Sequence, residues 1–112
     1  MKMTGGQAVV EVLDTWGVEV VFGIPGVHTL ALYDALYDHP RIRHVTVRHE
    51  QGAGFMADGY ARASGKVGVA ITTTGPAAVN ALTPIGEAYA ESSPVFLICS
   101  GQTDEMDGAD SG

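Results

Sequence analysis

Arg48-His49-Glu50-Gln51-Gly52-Ala53-Gly54-Phe55-Met56-Ala57-Asp58-Gly59-Tyr60-Ala61-Arg62 is the stretch that decides the fold. An extended, apolar-leaning segment, Ile42 to Val47, runs into it, and from Glu50 onward the residues read as a helix. Glu50 therefore stands where a strand hands over to a helix, at the carboxyl end of the strand. In open parallel sheets that edge is where ligands bind. A glutamate in a first helical turn also serves as an ordinary N-terminal acid favoured by the helix dipole, so position alone leaves two roles open. Counting by threes and fours from Glu50 lands on Ala53, Gly54, Ala57 and Ala61, a face of small residues that lets a helix or a ligand approach closely. Glycine costs a helix interior about 0.5–1 kcal/mol relative to alanine. Gly52, Gly54 and Gly59 within one helix thus call for a packing or functional reason.

Toward the N-terminus, Thr4 to Gly17 reads as a helix with Thr4 as N-cap, Gly17 as stop, and Ala8, Val9, Val12, Leu13 and Trp16 on one apolar face directed at the core. Val18 to Gly23 reads as a buried strand and ends in Gly23-Ile24-Pro25-Gly26, a stiff turn that a ligand can approach without Cβ interference. Val27 to Tyr37 reads as a second helix, ended by His39-Pro40. Toward the C-terminus, the Glu50 helix closes at Gly65, with Asp58 and Arg62 as a surface ion pair. Val67 to Thr73 is a third strand, followed by Thr74-Gly75-Pro76 with proline at a first helical position. The fourth helix runs to Glu91 with a kink or irregularity expected from Pro84, and Pro94 to Ser100 is a fourth strand. Strands alternating with helices predict a three-layer α/β/α domain around a parallel sheet. If the first strand lies between the second and third, the turns Gly23–Gly26, Arg48–Gln51 and Thr73–Asn80 converge on one crevice. Residues 1–101 read as the domain, and 102–112 as an acidic loop or a cut end. A final strand left uncovered suggests that the chain is a piece of something longer.

The 112 residues suffice for one packed core, and the hydrophobic content of 46% argues against disorder. Net charge is −7, but four acids, Asp104, Glu105, Asp107 and Asp110, lie in the last eleven residues. The body holds nine acids against six basic residues and no basic patch, so neither nucleic acid nor an anionic membrane is an expected partner. Apolar runs such as Val95 to Cys99 are too short to span a bilayer, and the N-terminus lacks the apolar core of a signal peptide. The single cysteine, Cys99, excludes an internal disulfide, fits a reducing cytoplasm and is expected to be a buried, inert thiol.

No Walker-type lysine loop, no G-x-G-x-x-G after a strand and no G-x-S-x-G elbow occurs. His28, His39, His44 and His49 lack metal-ligand spacing, so no metal is expected on this chain itself. His49 and Glu50, as neighbours in an extended segment, are expected to point apart.

Four pieces in order carry a resemblance: Val20-Val21-Phe22-Gly23-Ile24-Pro25-Gly26; Arg48-His49-Glu50-Gln51-Gly52-Ala53 with Ala57-Asp58-Gly59-Tyr60-Ala61-Arg62; Thr73-Thr74-Gly75-Pro76 with Asn80; and Ser93-Pro94-Val95. Together they resemble the N-terminal, pyrimidine-binding domain of thiamine-diphosphate-dependent enzymes, in the group of acetolactate synthase, pyruvate oxidase and benzoylformate decarboxylase. The resemblance implies a thiamine-diphosphate-binding fold, with strand order 2-1-3-4 for the strands seen here. It implies thiamine diphosphate as cofactor and a 2-keto acid as substrate. Glu50 would be the catalytic acid, bonded to N1′ of the aminopyrimidine and favouring the tautomer that takes the proton from C2. Ile24, Pro25, Gly26, Thr73, Pro76 and Asn80 would line the cofactor pocket. The Ala53, Ala57 and Ala61 face would pack against a second subunit, in a dimer or tetramer.

The sequence departs from the family at Ala77 and Pro84, where many members have glycine. The Gly-Asp-Gly stretch that holds magnesium and diphosphate in the family is absent. The resemblance therefore assigns Mg2+ and the diphosphate to a separate diphosphate-binding domain, and the piece alone would be inactive. Acetolactate synthase-like chemistry is the leading expectation. A 2-keto acid decarboxylase, with this domain as a possible separate subunit, is the near rival. A non-catalytic α/β module and a flavodoxin-like domain are rivals of other classes.

Overall fold

The computed structural model describes residues 2–102, so most of the acidic segment at 102–112 lies outside the described residues. Its elements are α1 (Gly5–Thr15), β1 (Val20–Gly23), a 3-10 turn (Val27–Thr29), α2 (Leu30–Tyr37), β2 (Arg43–Thr46), α3 (Glu50–Ser64), β3 (Gly68–Thr72), α4 (Pro76–Asn80), α5 (Leu82–Ala90) and β4 (Val95–Cys99). The four strands are parallel in the order β2-β1-β3-β4. The expected α/β architecture and strand order are both observed.

Alternation along the strands divides the core in two. Val21 of β1 and Val69 and Ile71 of β3 pack with Val10 and Leu13 of α1 and with Leu32, Ala35 and Leu36 of α2. Val20 and Phe22 of β1 and Ala70 of β3 face the other way, against Ala53 and Ala57 of α3. β1 and β3 are buried throughout, as central strands covered on both faces require.

The caps read from the sequence are present. Thr4 Oγ1 accepts from the Gln7 backbone N–H at 3.1 Å, and the Gln7 side chain accepts from the Thr4 N–H at 2.8 Å, a full capping box. Gly65 closes α3 in the left-handed region at φ 73°.

Several expectations are corrected. The buried stripe of α1 is Val10 and Leu13, while Val9, Val12 and Trp16 are turned outward and Trp16 is 75% exposed. Packing on α2 keeps Leu13 of the expected face, adds Val10, and turns Val9, Val12 and Trp16 outward. Cys99 is exposed, at the end of the edge strand β4, where it accepts a hydrogen bond from Thr72 Oγ1 at 3.3 Å. The Asp58–Arg62 pair is not a mere surface pair, because the Asp58 side chain is only 7% exposed. Arg62, bonded to it at 3.0 Å, holds its carboxyl below the usual range; the nearby Ser93 hydroxyl acts in the same direction without completing an aligned bond. The second helix begins as a 3-10 turn, where Thr29 Oγ1 both accepts from the Gly26 N–H and donates to the Gly26 carbonyl, each at 3.0 Å.

The long fourth helix is broken into α4 and α5 at Ala81, three residues before Pro84. Proline has no N–H for the carbonyl four residues back, and its ring crowds that carbonyl, which here belongs to Asn80. The irregularity expected from Pro84 is therefore a complete interruption.

The small face of α3 does not meet a second subunit. Ala53 and Ala57 are 0% exposed and Ala61 is 2% exposed, buried within the chain's own α3–sheet packing. A Cβ on Gly68 of β3 would lie 2.0 Å from the Ala57 carbonyl oxygen, so helix and strand touch backbone to backbone. Gly54 likewise admits the ring of Pro84, whose Cγ would be 2.3 Å from a Cβ at that position. Among the described residues Gly52 and Gly59 have no neighbour within 4 Å of an added Cβ, and of the three Gly54 alone shows a packing reason there. No helix among the described residues is long and apolar enough to cross a membrane.

Candidate functional site

Register brings three turns to one edge. Gly23, the last residue of β1, lies beside Thr46 of β2 and Ile71 of β3. The chain therefore leaves all three strands at the same level, and Ile24-Pro25-Gly26, Arg48-His49-Glu50 and Thr73 to Asn80 follow from that edge. Central placement of β1 is the condition for their convergence, and it is met.

The turns touch. A Cβ on Gly26 would lie 2.6 Å from Cβ of Thr73, so the turn after β1 packs directly on the turn after β3 and tolerates only glycine there. The Thr73 hydroxyl is buried with no hydrogen-bond partner among the described residues. Across the edge, Asn80 Nδ2 donates to Glu50 Oε2 at 3.1 Å, which ties the turn after β2 to the end of α4. Pro76 opens α4, and Pro25 and Pro76 are exposed at the rim while Ile24 is half-buried.

Glu50 is half-buried in the first turn of α3. His49 is the N-cap: its Nδ1 accepts from the Gln51 N–H at 3.0 Å. That bond turns the imidazole to the helix end, and no hydrogen bond joins it to Glu50 among the described residues. The sequence-predicted residues Ile24, Pro25, Gly26, Glu50, Thr73, Pro76 and Asn80 are thus gathered on one edge. Direct contacts link Gly26 with Thr73 and Glu50 with Asn80.

Beneath this edge lies a pair that the sequence reading passed over. Tyr33 Oη and His44 Nε2 are 2.8 Å apart, with their rings edge to face. Burial pushes the tyrosine up to about 12 and lowers the histidine, which favours a tyrosine hydroxyl donating to a neutral imidazole. The residues are eleven apart in sequence and on different elements, so no local pattern announces them.

Two other features lie away from the edge. A cavity of about 640 Å³ opens at the opposite end of the sheet between Leu13, Trp16, Val18, Tyr60, Val69 and Phe96, near the Lys66–Glu19 pair. It contains none of the site residues, and its size says nothing about the chemistry at Glu50. Glu11, Asp14 and His39 bring possible ligand atoms within 4.8 Å of one another. His39 bonds Glu11 at 2.8 Å and Arg41 bonds Asp14, so the group is an internal ion-pair network.

A family model described as "Thiamine pyrophosphate enzyme, N-terminal TPP binding domain" matches residues 3–110. Over 98 residues the chain is 60% identical to a "Probable 2-ketoarginine decarboxylase" of Pseudomonas aeruginosa, covering 88% of this chain and 17% of that protein. It is 52% identical over 97 residues to an "Acetolactate synthase" of Mycobacterium bovis, covering 87% of this chain and 16% of that protein. It is 50% identical over 99 residues to an "Acetolactate synthase large subunit" of Lactococcus lactis, covering 88% of this chain and 17% of that protein. The chain therefore spans about a sixth of the length of the curated relatives it matches.

Proposed function

Because this chain belongs to the N-terminal TPP-binding-domain family of thiamine pyrophosphate enzymes, we propose that it forms the pyrimidine-binding half of an enzyme acting on 2-keto acids, of the acetolactate synthase kind. The observation that carries the reading is Glu50 at the carboxyl edge of the sheet, between turns that touch one another.

The residues present fit an aminopyrimidine. Gly26 and Thr73 leave no room for a larger side chain between them, and the buried Thr73 hydroxyl offers a polar atom that no described residue bonds. Ile24 and Pro25 supply apolar surface for a flat ring, with Thr73 and Pro76 on the other side. Thiamine diphosphate, when bound, supplies the electron sink that 2-keto acid decarboxylation needs. With the cofactor bound, Glu50 would share a proton between its carboxyl oxygen and the ring nitrogen N1′. Glutamate suits this task because it can both hold and release that proton. Glutamine cannot release it, and aspartate is a methylene shorter.

Mg2+ and the diphosphate belong to a diphosphate-binding domain outside this chain. The complete enzyme is an oligomer of two or four chains in the cytoplasm. The outward face of α3, with exposed Phe55 and Met56, supports contact with another chain or domain, in place of the buried alanine face.

Glu50→Gln in the complete enzyme is expected to lower turnover at saturating cofactor by at least about 100-fold, the lower end for general acid–base catalysis. Activity near wild type would overturn the assignment. A decarboxylase is the second reading, favoured by the 60% identity to the "Probable 2-ketoarginine decarboxylase". Product analysis with pyruvate and with 2-ketoarginine separates the two. Acetolactate from pyruvate supports the first, and an aldehyde from 2-ketoarginine without carboligation supports the second.

A further inference from the structure

We infer that Asn80 is a positioning residue for Glu50, acting through its carboxylate rather than as a wall of the cofactor pocket. The inference rests on the reading of Glu50 given above. Asn80 Nδ2 donates to Glu50 Oε2 at 3.1 Å, across thirty residues of sequence. Among the described residues it is the one side chain hydrogen-bonded to Glu50, and no ion pair involves Glu50.

Arg48 and His49 precede Glu50 in the chain, and neither is hydrogen-bonded or ion-paired to it among the described residues. His49 is engaged in capping α3 and Arg48 is exposed; the element facing Glu50 contributes the neutral amide of Asn80. A carboxylate only accepts, so the amide of Asn80 must present its nitrogen. That bond engages Oε2, so Oε1 is the oxygen that would meet the ring nitrogen of a bound aminopyrimidine.

The backbone places Asn80 for this. It is the last residue of α4, and the helix stops immediately after it because Pro84 has no N–H to donate to the Asn80 carbonyl. The same proline packs on Gly54, one turn along α3 from Glu50. The contact that brings α5 against α3 therefore also sets the reach from Asn80 to Glu50.

The test is a cycle in the complete enzyme: wild type, Asn80→Ala, Glu50→Gln and the double variant. Two quantities are measured: the thiamine diphosphate dissociation constant, and the exchange rate of its C2 proton followed by NMR. Asn80→Ala is expected to slow exchange about tenfold in the wild-type background, as loss of a hydrogen bond to a charged group does at a half-exposed site. In the Glu50→Gln background the same change should matter less than about twofold. The dissociation constant should rise severalfold with Glu50 present and stay level without it. Asn80→Asp keeps the shape and loses the donor, so it should be at least as slow as Asn80→Ala. A wall or folding role would leave Asn80→Asp near wild type, or give equal losses in both backgrounds; either outcome overturns the inference. So does unchanged exchange in Asn80→Ala. If Glu50→Gln itself leaves exchange unchanged, the reading of Glu50 fails first, and the inference falls with it for a reason the cycle identifies.

Discussion

Replacing glycine by alanine at two places in α3 should move stability in opposite directions. Alanine is the better helix former by about 0.5–1 kcal/mol in a helix interior. At Gly59 the added Cβ meets nothing within 4 Å, so Gly59→Ala is expected to gain that amount. At Gly54 the Cβ would stand 2.3 Å from Cγ and 2.8 Å from Cβ of Pro84. A pyrrolidine ring cannot rotate aside, so α5 must back away or α3 must shift. Overpacking of this kind costs about 1–3 kcal/mol, which exceeds the propensity gain and leaves a net loss of about 1–2 kcal/mol. The two variants should then differ by the overpacking cost, about 1–3 kcal/mol, in equilibrium urea unfolding. With a slope of about 1–3 kcal/mol per molar, their midpoints should separate by roughly 1 M, within about 0.3–3 M. Gly54→Ala/Pro84→Ala removes the offending ring atom and should recover part of the loss, giving a coupling of about 1 kcal/mol. Since the same contact sets the distance from Asn80 to Glu50, Gly54→Ala should also lower turnover, whereas Gly59→Ala should not. Equal stabilisation by both alanines would refute the tight α3–α5 crossing and the argument built on it.

Two further outcomes follow from the α1 region. Both ring nitrogens of His39 face acceptors, the Ala35 carbonyl at 2.9 Å and Glu11 at 2.8 Å, so the protonated ring is favoured and its pKa is raised above 6.5. Its stabilisation is fully present below the unfolded value and is lost as pH rises through the higher folded value. The gap in melting temperature between wild type and His39→Ala should therefore shrink from about pH 5.5 to about pH 9, and a gap independent of pH would refute the assignment. Thr4→Ala removes the cap hydroxyl from Gln7 N–H and should cost about 1 kcal/mol in chemical denaturation, with Thr4→Ser retaining most of it. A neutral Thr4→Ala would mean that the capping box adds nothing to stability.

Much of the fold was legible because its signals are local. Strand–helix alternation, the Thr4 cap, the Gly65 stop, the proline opening α4 and the carboxylate at a strand end each depend on residues a few positions apart. The family match over residues 3–110 bears out the resemblance drawn from four short pieces. The errors fall where two local answers were equally good. The crossing of α1 with α2 kept Leu13 of the expected face, added Val10 and left Trp16 in solvent. The small face of α3 could have met a ligand, a subunit or a sheet, and it met the chain's own sheet, because Gly68 and Ala70 on β3 leave space only there. Cys99 was read as buried from its apolar neighbours, yet it lies at the end of an edge strand.

By itself, the order of residues determined which segments are strands and helices, and that a glutamate stands at a strand's carboxyl end. Periodicity and caps act over one or two turns of chain, and that is information a linear text carries. Tertiary structure alone decided that Gly26 rests on Thr73, that Pro84 enters the notch at Gly54, and that Asn80 bonds Glu50. Those contacts join residues thirty to almost fifty positions apart, and each exists only when crossover connections and backbone-to-backbone packing have brought separate elements to one edge.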